Sequence, residues 1–135
     1  MAAKRIDHLG IAVEDLDASV ELWQRLFGAE LLARDVQDGQ GVSAAMLQVG
    51  DTKLELLAAL GPETPVGKFL ANRGPGMHHL AFEVDDVAAE LARLRADGVE
   101  LVDEEPRPGA FGHTVAFVHP RAAGGVLAEL VSHEH

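Results

Sequence analysis

The chain contains no cysteine, which excludes disulfides, thiolate nucleophiles and zinc or iron–sulfur sites built on sulfur. Positive charge is scarce: 11 Lys and Arg stand against 22 Asp and Glu, a formal net charge of −11. So acidic a chain is a poor partner for nucleic acid or an anionic membrane surface. A phosphorylated small molecule is still acceptable, because it needs only a few local basic groups. No run approaches the roughly 18 apolar residues of a membrane span, and no segment is of low complexity. The first residues lack the apolar core of a signal peptide. Together with the missing cysteine, this leads to the expectation of a cytoplasmic protein.

What is present suits one globular domain spanning residues 1–135. Nearly half the residues are hydrophobic and about a quarter are charged, the balance of a soluble protein able to bury a core. The most informative feature is an internal repeat. A shift of 71 residues lays His8 on His79, Leu9 on Leu80, Val13 on Val84, Asp15 on Asp86 and Ala18 on Ala89. A second pair of segments repeats as well: KLELL from Lys53 and LAELV from Leu127. One unit is written twice. Each copy opens with a histidine and closes with a glutamate, both in segments whose apolar alternation reads as strand.

The first copy, residues 5–58, reads as a strand (5–13), a helix capped by Asp15 and stopped by Gly28, and three further strands (30–36, 42–49, 52–57). Leu16, Val20, Trp23 and Phe27 fall at helical spacing and form that helix's core face. Gly50-Asp51 is a two-residue turn that suits type II′, and 38–41 is also turn chemistry. A linker helix over about 64–74 is announced by Thr64-Pro65 and ended by Gly74. The second copy, residues 76–132, repeats the order. Its helix is capped by Asp86, faces the core with Val87, Leu91 and Leu94, and ends at Gly98. Strands are expected at 100–102, 114–118 and 125–131, with a Pro/Gly-rich loop over 106–112 and a frayed tail over 132–135. The fold class is therefore α+β: two paired β-α-β-β-β modules forming a curved, mostly antiparallel sheet whose concave face makes a pocket.

His8, Glu55, His79 and Glu129 are the candidate chemical groups. A lone strand histidine also serves well as a hydrogen-bonded core residue, and His78, pointing to the other face from His79, is read as structural or surface. His119 is read as a strand-end residue, and His113 is left open. Glu129 is harder to explain by packing. Leu127 and Val131 share its face, Val126, Ala128 and Leu130 make up the other, and neither face is wet. A buried carboxylate without a partner is costly, so it requires a cation. Glu55 shares its face with Lys53 and Leu57, an end that solvent could reach. Two imidazoles and two carboxylates suit one borderline divalent ion per chain (Co, Ni, Mn, Fe or Zn), with open positions for Lewis-acid chemistry. A closed structural metal site, or His–Glu pairs without metal, is the alternative use of the same residues.

The phrases IDHLGIAV (from Ile6), VGDTKLELL (from Val49), GMHHLAFEVDDV (from Gly76), VELVDEEPRPGAFGHTVAFVHP (from Val99) and GGVLAELV (from Gly124) resemble the vicinal oxygen chelate superfamily, and within it the methylmalonyl-CoA epimerase family. The strand histidines and glutamates are superfamily marks. The linker helix, DEEPRPG and the HP…GGVLAEL ending are closer to the epimerases. The resemblance implies the paired-module fold, a homodimer, an acyl-CoA substrate, and His8, Glu55, His79 and Glu129 as metal ligands. It implies interconversion of (R)- and (S)-methylmalonyl-CoA by proton transfer at C2 through a stabilised enolate, with Glu129 as a candidate catalytic base. Lys68, Arg73, Arg107 and Arg121 are candidates to meet the CoA phosphates. One departure stands out. Many of these epimerases carry a glutamate after the QGV phrase, proposed as a catalytic base; here Gln40-Gly41-Val42 leads to Ala44. Rival readings are a glyoxalase I-like lyase, a metal-free drug-binding protein on the same fold and an extradiol-type dioxygenase.

Overall fold

The computed structural model describes residues 3–133. Eight strands and three helices follow in the order β1 (Arg5–Ala12), α1 (Leu16–Phe27), β2 (Glu30–Gln37), β3 (Val42–Val49), β4 (Thr52–Ala59), α2 (Pro65–Arg73), β5 (Gly76–Glu83), α3 (Val87–Ala96), β6 (Arg107–Pro108), β7 (Thr114–Val118) and β8 (Ala128–Ser132). The α+β class and the repeated β-α-β-β-β order are as expected. Residues group into two compact units, one over His8–His78 and the other taking the residues through Asp7 together with those from His79 onward.

In the first unit the strands lie in the order β2-β3-β4-β1. The β3–β4 hairpin turns at Gly50-Asp51 and pairs Val49 with Thr52. Gly50 has φ +58° and Asp51 is not in the left-handed region, as a type II′ turn requires. That turn sets the register of the whole ladder, with Met46 opposite Glu55 and Ala44 opposite Leu57. β1 then pairs with β4 in parallel, Gly10 facing Glu55. Asp15 caps α1 by accepting the Ala18 N–H at 3.1 Å, an interaction worth about 1 kcal/mol, and Gly28 ends the helix in a left-handed turn. The helix packs Leu16, Val20 and Trp23 against Ile11, Val13, Ala45, Leu47 and Leu56. Phe27, expected on this core face, is 61% exposed and touches the unit through the Trp23 ring, 5.3 Å away. α2 belongs to this unit: Thr64 caps it by accepting the Gly67 N–H at 3.1 Å.

In the second unit the order is β5-β8-β7-β6. β5 and β8 are parallel, with Ala81 facing Glu129, and β8 and β7 antiparallel, with Phe117 facing Glu129. α3, capped by Asp86, covers one side of these strands. Val87 and Leu91 pack there on Val84, Ala116, Val118 and Leu130.

Four local features of the second unit differ from expectation. The strand expected over 100–102 is reduced to a single bridge, Leu101 to Val118. The Phe117 carbonyl accepts both the Val102 and Asp103 N–H groups, and the Phe117 N–H donates to Asp103 Oδ2 at 2.8 Å. A side chain thus occupies the ladder position that another strand would need. The loop expected over 106–112 holds β6, paired with Thr114 and Val115, followed by a 3-10 turn over Ala110–Gly112. The strand expected from 125 begins at Ala128, because Gly124 and Gly125, at φ +69° and +98°, are still turning. Of the expected frayed tail, Ser132 closes β8 and His133 is held by Asp7, while residues 134–135 lie outside the described residues.

Candidate metal-binding and catalytic residues

Each unit builds one histidine–glutamate pair, and the two are built alike. In the first, the faces of β1, β3 and β4 that turn away from α1 carry His8, Ala44, Met46, Glu55 and Leu57. Glu55 lies across the parallel ladder from Gly10, two residues beyond His8. Its Oε1 is 3.3 Å from His8 Nε2. In the second unit Glu129 lies across from Ala81, again two residues beyond the histidine, and its Oε1 is 3.4 Å from His79 Nε2. The His79 ring is also met edge-on by Phe117, centroids 5.5 Å apart. The 71-residue repeat is thus a repeat of register.

All four side chains are at most 8% exposed. The solvent that Lys53 and Leu57 could have brought to Glu55 does not reach it, since Glu55 is 6% exposed. The pair spacings carry chemical information. A charge-assisted N–H···O hydrogen bond is about 2.7–2.9 Å long, shorter than either pair. Two ligands at about 2.1 Å from one ion, spread by about 90–110°, stand about 3.0–3.4 Å apart. Both pairs match that separation, and their donor set of imidazole nitrogen and carboxylate oxygen suits a borderline divalent ion. Ala44 is fully buried and shares the face of Glu55. Its methyl group has no proton to exchange.

The four candidate cations differ in their surroundings. Arg121 is held by Glu100 through bonds of 3.2 and 3.0 Å, so its charge is largely answered. Arg107 Nε lies 3.4 Å from Asp103. Arg73 lies over the Phe69 ring, 5.7 Å from its centroid, and Lys68 is exposed on α2. His78 is half-buried and packs edge-on against Phe69 at 4.9 Å, the structural one of the two roles expected of it. His119 caps the 3-10 turn that follows β7, accepting the Arg121 N–H at 3.1 Å. Among the described residues no helix is long and apolar enough to cross a membrane.

A further polar cluster had no local signal in the sequence. His133 Nε2 lies 2.6 Å from Asp7 Oδ1, a contact spanning 126 residues.

Residues 7–117 match the Glyoxalase/Bleomycin resistance protein/Dioxygenase superfamily. The chain is 38% identical over 128 residues to an ethylmalonyl-CoA/methylmalonyl-CoA epimerase of Cereibacter sphaeroides, covering 93% of this chain and 96% of that one. The crystal structure of methylmalonyl-CoA epimerase from Mycobacterium tuberculosis superposes with a TM-score of 0.95 at 40% identity, over 99% of this chain and 91% of that one. A methylmalonyl-CoA epimerase in complex with methylmalonyl-CoA and NH4+ superposes at 0.92 with 42% identity, over 98% and 95% of the two chains. With near-complete coverage in sequence and in fold, the chain belongs to the methylmalonyl-CoA epimerase family of the glyoxalase/bleomycin resistance/dioxygenase superfamily.

Proposed function

We propose that the protein interconverts (R)- and (S)-methylmalonyl-CoA by moving the C2 proton, and that its two units act as one domain. The observation that carries this is the likeness, at 42% identity and over 98% of the chain, to an epimerase holding methylmalonyl-CoA. The repeated buried His–Glu pairs, which suit a divalent ion, support it. In this reading His8, Glu55, His79 and Glu129 together hold one ion. Such a cation, when bound, supplies Lewis-acid stabilisation of negative charge developing on oxygen.

The chain's own residues supply the rest. A C2 proton between a thioester and a carboxylate leaves as the negative charge spreads onto oxygen, so the site must exclude water and hold the base in place. Glu129 is placed by its ladder position opposite Ala81, and its surroundings are dry. A carboxylate has two oxygens; one can face a cation while the other takes the C2 proton. Inversion then requires a donor on the opposite side of C2. Ala44 cannot be that donor, so a bound water or another side chain serves there. The protein is proposed to work as a homodimer. The exposed Leu26 and Phe27 at the end of α1 and Leu32 and Val36 on the edge strand β2 are apolar surface that a second copy would cover.

The test is proton NMR in deuterated buffer with methylmalonyl-CoA, ethylmalonyl-CoA and the methylglyoxal–glutathione adduct. Loss of the C2 proton signal from the branched malonyl thioesters, with little turnover of the adduct, is the expected result. Rapid isomerisation of the adduct without C2 exchange would assign the chain to the lyases instead.

A further inference from the structure

On the side of the second unit that faces away from α3, the ladder forms three successive rows. The first holds His79, Glu129 and Phe117. The second is dry, with Ala81, Val131 and Val115 all buried. The third is polar again: Glu83 at the end of β5, His133 just beyond β8 and His113 just before β7. The β7–β8 register that pairs Val115 with Val131 brings His113 opposite His133, and the two rings lie 4.2 Å apart. Asp7 joins this row. It is 9% exposed, and its carboxylate meets His133 Nε2 at 2.6 Å.

We propose that Asp7, Glu83 and His133 form a second divalent-cation site, distinct from the His–Glu pairs. One donor atom from each of the three lies within 4.8 Å of the others. Opposite ligands around an ion at about 2.1 Å are about 4.2 Å apart, so the three need only small side-chain shifts to close on one ion. Two carboxylates and an imidazole, one carboxylate buried, are a donor set for zinc, manganese or cobalt. The His113 ring meets His133 edge-on, so a second imidazole stands beside the cluster. Position separates this site from the first. His133 stands four residues past Glu129, just beyond the end of β8, about 13 Å along extended chain at about 3.3 Å per residue, with Val131 between them. The cluster is therefore too far away to share an ion with Glu129 or to act as a base at a substrate carbon held there.

Two carboxylates this close need positive charge, and Arg5 now supplies it, donating to Glu83. The Arg5 side chain is 65% exposed while Glu83 is 14% exposed. The guanidinium can thus swing into solvent when an ion takes its place. Arg5 is a competitor for the site, and its removal should strengthen ion binding.

The experiment is titration of chelator-stripped protein with zinc by calorimetry, followed by metal analysis after dialysis. The wild type is expected to hold about two ions per chain, and His133→Ala or His79→Ala about one each. Arg5→Ala should retain both and bind the weaker ion about threefold or more tighter. Glu83→Gln keeps the shape of the side chain and should weaken the second ion at least about tenfold. A single ion in the wild type that is lost in His79→Ala but kept in His133→Ala would overturn this proposal and leave the first reading intact. A single ion with the reverse pattern would support this proposal against the first reading. Two ions with unchanged affinities in Glu83→Gln would mean that tail imidazoles bind on their own, and would overturn it.

Discussion

Glu129 Oε1 stands 3.4 Å from His79 Nε2, a separation too long for a strong hydrogen bond and right for neighbouring ligands of one ion. If that is their role, His79→Ala and Glu129→Ala each lose most of the tightly held divalent metal. C2 exchange should fall by about 10²–10⁴-fold, while circular dichroism stays that of the wild type. Metal analysis beside NMR exchange measures both. Unchanged metal content in either variant would show the pair to be packing alone.

Ala44 lies across the hairpin from Leu57 and diagonal to Glu55, about 7–8 Å between backbone positions. Ala44→Glu places a carboxylate in a fully buried position, and a loss of about 1–3 kcal/mol in stability is expected for a poorly satisfied group. Its effect on catalysis should be one-sided. The C2 exchange rate of one enantiomer changes more than that of the other, because position 44 serves one side of the carbon. Equal effects on (R)- and (S)-methylmalonyl-CoA would remove this position from the chemistry.

Gly67 sits where α2 passes over the preceding loop. A Cβ there would lie 2.3 Å from the Gly61 carbonyl oxygen and 2.9 Å from Pro62 Cα, and backbone cannot retreat as a side-chain tip can. Gly67→Ala should therefore destabilise the protein by about 1–3 kcal/mol even though alanine is the better helix former. Urea unfolding gives the number. A neutral or stabilising outcome would mean that the helix shifts without cost.

Glu100 offers a pH-dependent signal away from the site. Its hydrogen bonds from Arg121 hold the carboxyl below its ordinary value, because the guanidinium favours the charged form. The associated stability is present above the unfolded carboxylate pKa and is lost as pH falls through the lowered folded value. The carboxyl carbon resonance of Glu100 should titrate below an ordinary glutamate in the wild type and return to the ordinary range in Arg121→Ala.

The parts of the fold that were legible in the sequence have short-range causes. Asp15, Thr64 and Asp86 cap helices with their own side chains, and Gly50-Asp51 sets a hairpin register from two residues. Once that register is counted out, Glu55 and Ala44 fall on the same face of the hairpin. What could not be read depends on partners far along the chain. Arg107–Pro108 becomes a strand only because Val115 and Thr114 offer it a ladder, and proline lets that pairing go no further. The segment at 100–102 has the composition of a strand, yet Asp103 takes the Phe117 N–H. His133 resembles tail residues generally, and nothing near it in the sequence announces Asp7.

The two glutamates are held in register by different means, with a consequence for how the chain tolerates insertions and deletions. Glu55 follows a two-residue turn by four positions, so one residue added at Gly50-Asp51 would swing it to the α1 side of the strand and bring Leu54 or Leu56 to the His8 side. β7 and β8 are joined instead through a 3-10 turn and two left-handed glycines, a span with slack. There a residue added near Ala122 can be taken up before Leu127, whose carbonyl accepts the Leu80 N–H, and Glu129 keeps its place. Length variation among functional descendants of this chain should therefore collect in the second connection and be purged from the first.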